Sequence, residues 1–366
     1  MRIADGLHPR NNSLNVLRLA LAGMVLVSHS FVLSGRYEPR LGDTTLGTIG
    51  VLGFFAISGY LIVGSRVKST SGRRFLWHRF LRIYPGFWVC LIVIAVVFAP
   101  IAAAHGPGGV DALSWNSAAR YAAWNSTLVI HQAGIQGTLQ AIRYPGEWDG
   151  SLWTLIYEMG CYLVVFGLGA LNVLRRRVVI ALALLLAAVD LLVPRSDLYK
   201  VHLPVLQALN IALVFVVPLG LAFAAGAVLY FLSDRISVRG SFALAAATIC
   251  VVGFEVFSEA TWLIAFPFAY LLIWLGIRLP FGGLFGRNDI SYGVYIYAFP
   301  VQQLMSTYGL ADHGVALYLA ATIPLTTLLA LASRLAIETP ANRLKSRGLG
   351  RHRDQPAEGR SELAKA

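Results

Sequence analysis

Charge is scarce in this chain. Asp, Glu, Lys and Arg together make up only 13% of its 366 residues, against 57% hydrophobic. An ordinary soluble enzyme carries about a quarter of its residues as charges, so that class is excluded. Acidic residues are the rarer kind, 18 against 30 Lys and Arg, for a net charge of +12. Cysteine is almost absent. Cys90, Cys161 and Cys250 lie inside apolar runs without Cys-x-x-Cys spacing, which argues against a disulfide framework, a zinc site or a redox motif. They read as small core residues. Internal repeats, metal-ligand spacings and any separate soluble enzymatic domain are also missing, so no metal is expected.

What fills the chain instead is a series of apolar runs long enough to cross a bilayer. With a mean hydropathy of +0.66, they predict an all-α, polytopic membrane protein of about ten transmembrane helices. Spans are expected at 14–35, 46–64, 83–104, 151–171, 178–193, 204–232 (broken near Asn210), 241–257, 262–277, 290–308 and 315–335. Of the 30 Lys and Arg, only Arg36, Arg40, Arg120, Arg143, Arg195 and Lys200 fall outside on this assignment. The positive-inside rule then sets both termini in the cytoplasm and accounts for the basicity without nucleic acid. The first run lacks a small-residue cleavage site and reads as a retained span. Residues 1–345 are expected to form one transmembrane domain, and 346–366 a basic, disordered cytoplasmic tail.

Two polar intervals stand out. Arg66 to Arg82 interleaves arginines with Phe75, Leu76, Phe80 and Leu81, the pattern of an amphipathic helix on the inner leaflet, where membrane lipids are its partners. His105 to Gly150, with Trp115, Trp124 and Trp148, reads as a structured outer loop or lid.

Ionisable residues inside spans are costly and call for an explanation. Arg18 and His29 are eleven residues apart in LNVLRLALAGMVLVSHS, roughly three helical turns plus 20°, so they share a face with about 16 Å between them. Arg18 can snorkel to the interface. His29 cannot, and should face a polar cavity, a partner or a substrate. A neutral imidazole there can take a proton from an alcohol or carry an acyl group; the plainer reading is a satisfied histidine between helices. Glu158, two turns into the fourth span, either orients a histidine or pairs with Arg79 or Arg82. Arg79 and Arg82, one turn apart, suit the phosphates of a cytoplasmic cofactor or anionic headgroups equally well. Ser58 and Gly59 allow a close helix contact or a kink.

Four segments together resemble the integral-membrane acyltransferases of the acyltransferase-3 type. They are NSLNVLRLALAGMVLVSHS, with Arg, ten residues, then His at Arg18 and His29; GVLGFFAISGYLI; RFLRIYP, Arg79 to Pro85; and SLWTLIYE, Ser151 to Glu158. A fifth, DISYGVYIYAFPVQQ, is similar to the family's penultimate span, but has Tyr297 and Ala298 where many members place Trp-His. The resemblance implies transfer of an acyl group, commonly acetyl, from cytoplasmic acyl-coenzyme A (acetyl-CoA) to a hydroxyl of a sugar or glycan, free or lipid-linked. It implies His29 and Glu158 as catalytic residues, with Arg18, Arg79, Arg82 and Tyr84 at the coenzyme. Ser58, Trp153 and Tyr292, from the second, fourth and fifth segments, are the residues expected at substrate. The setting implied is a bacterial inner membrane, with the transfer finished alone or by a separate extracytoplasmic partner.

Two other readings use the same residues. In a transporter or flippase, Arg18, His29 and Glu158 form an intramembrane relay; in an assembly protein they only join helices.

Overall fold

The computed structural model describes residues 1–8, 11–69, 71–193, 212–257, 261–282 and 289–345. Ten helices of fifteen residues or more are found among them. They are α1 Leu14–Leu33, α2 Leu46–Val67, α3 Gly72–Val93, α4 Thr154–Ala170, α5 Arg176–Leu192, α6 Val217–Phe231, α7 Gly240–Val256, α8 Thr261–Arg278, α9 Ser291–Thr307 and α10 Val315–Ser333. Six helical stretches are long and apolar enough to cross a membrane, and α4 and α7 are shorter apolar helices. The chain is an all-α, polytopic integral membrane protein. The break expected near Asn210 and the tail expected at 346–366 lie outside the described residues.

Arg18, Arg79, Arg82 and Lys345 come together at one end of the bundle. The N-terminal segment is fixed there by backbone: Ile3 N–H donates to Ile236 O (3.1 Å) and Val238 N–H to Met1 O (3.0 Å). Ser13 ties the start of α1 to the end of α8, its N–H donating to Gly276 O at 2.8 Å. The opposite end carries a hairpin, β1 Arg40–Leu41 with β2 Thr44–Thr45. Gly42 turns that hairpin with φ +57°, and a Cβ there would meet Phe254 O of α7 at 2.1 Å, so glycine is required on both counts.

The segment expected as an interfacial helix is continuous with the third span. Helix runs unbroken over Gly72–Ala104, 33 residues, through a π-helical turn at Ile94–Phe98. The boundary expected at Ile83 is absent because the basic segment packs inward: a Cβ on Gly72 would touch Phe166 at 2.8 Å, and the Arg79 guanidinium lies 5.8 Å from the Tyr162 ring centroid. The long loop after it is folded, with the short helix Trp115–Trp124. Trp148 is fully buried and its Nε1–H donates to Thr138 Oγ1 at 2.9 Å.

Candidate active site

His29 sits in the last third of α1, where residues of α9 hold the helix. Gln302 donates from Nε2 to Leu26 O (2.8 Å) and Ser30 Oγ (2.6 Å), and Phe299 meets the His29 ring edge-on at 5.0 Å. The imidazole lines a chamber of about 350 Å³ toward the hairpin end of the bundle. Among the described residues its buried Nδ1 has no hydrogen-bond partner. Trp153 lines the same chamber, packed against Phe215 at 4.7 Å.

Toward the basic end lies a second, narrower cavity of about 40 Å³, lined by Arg18, Ser58, Arg82, Glu158 and Tyr292. The two cavities share Val51, Thr154 and Tyr295. Between them Thr154 Oγ1 and the Tyr295 hydroxyl are hydrogen-bonded at 2.6 Å. Arg18 and His29 thus open onto adjoining spaces from one helix, as a shared face requires.

The arginines are engaged with carboxylates. Arg18 and Arg82 both donate to Asp289 Oδ2, Arg82 at 2.9 Å, and Arg82 also reaches Glu338 at 3.3 Å. Burial works against the Asp289 charge, yet the two guanidiniums and the Ser291 donors outweigh it and hold this carboxyl well below the usual range. Arg82 lies 5.5 Å from the Tyr292 ring centroid, and Tyr292 donates to Ile83 O at 2.6 Å. Arg79 stands apart from the ion pairs, between the rings of Phe75 and Tyr162, its buried Nε without a partner among the described residues. Close by, Lys345 is pushed down to about 8 by burial and then by Arg79 and Arg82.

Glu158 accepts from Tyr162, and from Ser58 Oγ at 3.5 Å. It lines the inner cavity only, and His29 the outer only. The structure therefore brings Arg18, Arg82, Glu158, Ser58 and Tyr292 together, and His29 with Trp153. Tyr84 lines neither cavity; it stacks on Phe80 (4.7 Å) and meets Trp88 at a tilt (5.2 Å). Sequence reasoning passed over Asp289, Tyr295, Thr154 and Glu38. Asp289 and Tyr295 fall inside the quoted DISYGVYIYAFPVQQ, and Thr154 inside SLWTLIYE, so the signal was present without a role. Among the described residues no group of three or more His, Cys, Asp or Glu is placed to hold a metal ion.

The family profile described as "Acyltransferase domain" matches residues 11–334. A Shigella phage Sf6 protein named "O-acetyl transferase" is 30% identical over 308 residues, 81% of this chain and 86% of that protein. "Nodulation protein 10" of Rhizobium leguminosarum bv. viciae is 25% identical over 365 residues, covering 92% and 94%. No solved structure matches.

Proposed function

Since the chain belongs to the acyltransferase-3 family and is an integral-membrane O-acyltransferase, we propose that it moves an acetyl group from cytoplasmic acetyl-CoA to a sugar or glycan hydroxyl. The observation that carries this reading is the pair of adjoining cavities that share Thr154 and Tyr295 in their walls, with arginines on one and His29 on the other. Coenzyme A is a polyanion with a long neutral arm ending in the thioester. Its phosphates suit the basic end, where Arg79 has donor capacity beyond the ion pairs, and the arm follows the line of the narrow cavity beside Ser58 and Tyr292, which has to widen to admit it. Positive-inside orientation then sets that end and both termini in the cytoplasm of a bacterial inner membrane. A glycan acceptor, free or lipid-linked, enters the wider chamber from the other side, where Trp153 offers a ring face.

His29 is the base. It takes the proton of the acceptor hydroxyl as that oxygen attacks the thioester carbonyl; the C–S bond breaks and the coenzyme A thiolate takes the proton back from the imidazolium. An acyl-imidazole formed first, then attacked by the acceptor, uses the same residue and the same balance of atoms. Glu158, held by Tyr162 and Ser58, acts on the donor side of the junction as a counter-charge to Arg18 and Arg82.

The test is transfer of isotopically labelled acetyl from acetyl-CoA to membrane glycan by the purified chain in nanodiscs, read as a mass shift. Label is expected on glycan with wild type and absent with His29→Ala. Folded wild type that transfers no label from any short acyl-CoA overturns the reading.

A further inference from the structure

The chamber beside His29 is unbalanced in charge, and nothing in the transfer chemistry requires that. Two carboxylates line it, Glu38 and Asp43, and among the described residues no Lys or Arg does. Both come from the segment that closes the chamber: Glu38 precedes β1, and Asp43 stands in the turn between β1 and β2. Neither is in a salt bridge among the described residues. Glu38 is half-buried and held in place, accepting from Ser28 Oγ, which in turn accepts from Gly47 N–H at 2.8 Å. Glu38 and His29 line the same chamber, so this fixed carboxylate shares the space of the base. The rest of the polar lining is neutral, with the hydroxyls of Thr44, Thr48, Ser151 and Thr154 offering both donors and acceptors. His29 itself lines the chamber, so the two carboxylates and the base face one space.

A recess with low-dielectric walls concentrates the field of the charges lining it and sorts small ions by sign. We propose that Glu38 and Asp43 make this chamber a charge filter, admitting an uncharged or amino-bearing sugar unit to His29 and turning away units that carry phosphate, carboxylate or sulfate. The inference rests on the acyl-transfer reading and names its acceptor class. It has a geometric consequence: an acceptor carried on a lipid phosphate must present a sugar remote from that phosphate, which stays outside the chamber.

The filter is measurable without catalysis. In the full chain with its three native cysteines replaced by alanine, Thr48→Cys places a thiol on the chamber wall, and Thr44→Cys is a second position should the first fail to fold. Its reaction rates with cationic, neutral and anionic methanethiosulfonates are each normalised to a free thiol in solution. The cationic reagent is expected to react at least about tenfold faster than the anionic one, with the neutral reagent between them. Glu38→Gln with Asp43→Asn should bring all three within about threefold. Equal normalised rates with both carboxylates present, or a sign preference unchanged in the double variant, overturns the filter. These rates do not depend on acetyl-CoA, so failure of the filter is distinct from failure of the transfer reading.

Discussion

Asp149 is a carboxyl group with nowhere to put a charge. It is 4% exposed; its Oδ1 accepts from Ser151 N–H (2.8 Å) and Oγ–H (2.6 Å), while its Oδ2 is buried with no partner among the described residues. Burial, only partly opposed by the Ser151 bonds, raises it to about 8. Between its ordinary value near 4 and 8 the folded chain therefore holds a proton that the unfolded chain has lost. Stability falls as pH rises across that window, by up to about 1.4 kcal/mol per pH unit, and is level above it. Asp149→Asn keeps an oxygen for Ser151 and removes the titration. Thermal unfolding at pH 5.5 and pH 8.0 should show a falling midpoint for wild type and a smaller fall for the variant; equal falls contradict the assignment. Asp289 is the opposite case, a charge that two cations require. Asp289→Asn leaves Arg18 and Arg82 sharing a neutral amide and is expected to cost about 3 kcal/mol, read from denaturant unfolding, whereas an exposed pair such as Arg143 with Asp312 should cost less than about 1 kcal/mol. Asp289 was legible only as the first letter of a motif, because the arginines that define it lie 271 and 207 residues away.

Helices α2 and α6 touch backbone to backbone. A Cβ on Gly59 would lie 1.9 Å from Phe223 O, and one on Gly226 1.9 Å from Ala56 O. Neither carbonyl can move without moving its helix, so Gly59→Ala or Gly226→Ala should cost about 3 kcal/mol or more and broaden the size-exclusion profile. Gly160→Ala on α4, where a Cβ meets nothing within 4 Å, is the control and should leave the protein unchanged or slightly more stable. A tolerated Gly59→Ala would contradict the packing. Sequence marked Gly59 as able to make such a contact, since small residues in a span permit it, but could not name its partner. The same limit explains α3. Hydropathy changes at Ile83, which is where a sequence boundary must fall, while the helix continues because Phe166 and Tyr162 of α4 receive the basic turns. Periodicity served best where one helix carried both ends of a relation, as with Arg18 and His29 on α1.

At the scale of the whole molecule, the bundle holds two cavities in series between a basic end and a hairpin end, meeting at Thr154 and Tyr295. The all-α, polytopic architecture and the family were both readable from apolar runs and motif order, which are local. The junction was not, because it is made by α2, α4 and α9 together. The arrangement predicts sidedness. Acetyl-CoA does not cross a bilayer, so proteoliposomes given it from outside should be active in proportion to the molecules whose basic end faces out, as counted by proteolysis of the C-terminal tail. Activity that ignores this fraction would place the donor at the wrong end. The central claim, that His29 performs acyl transfer from the outer of the two cavities, is tested most directly by one measurement. It is release of free coenzyme A from acetyl-CoA by the purified chain with membrane glycolipid, wild type against His29→Ala. The account predicts at least about a hundredfold loss of release in the variant, with the unfolding midpoint and acetyl-CoA binding retained. Release by folded His29→Ala at the wild-type rate would contradict it.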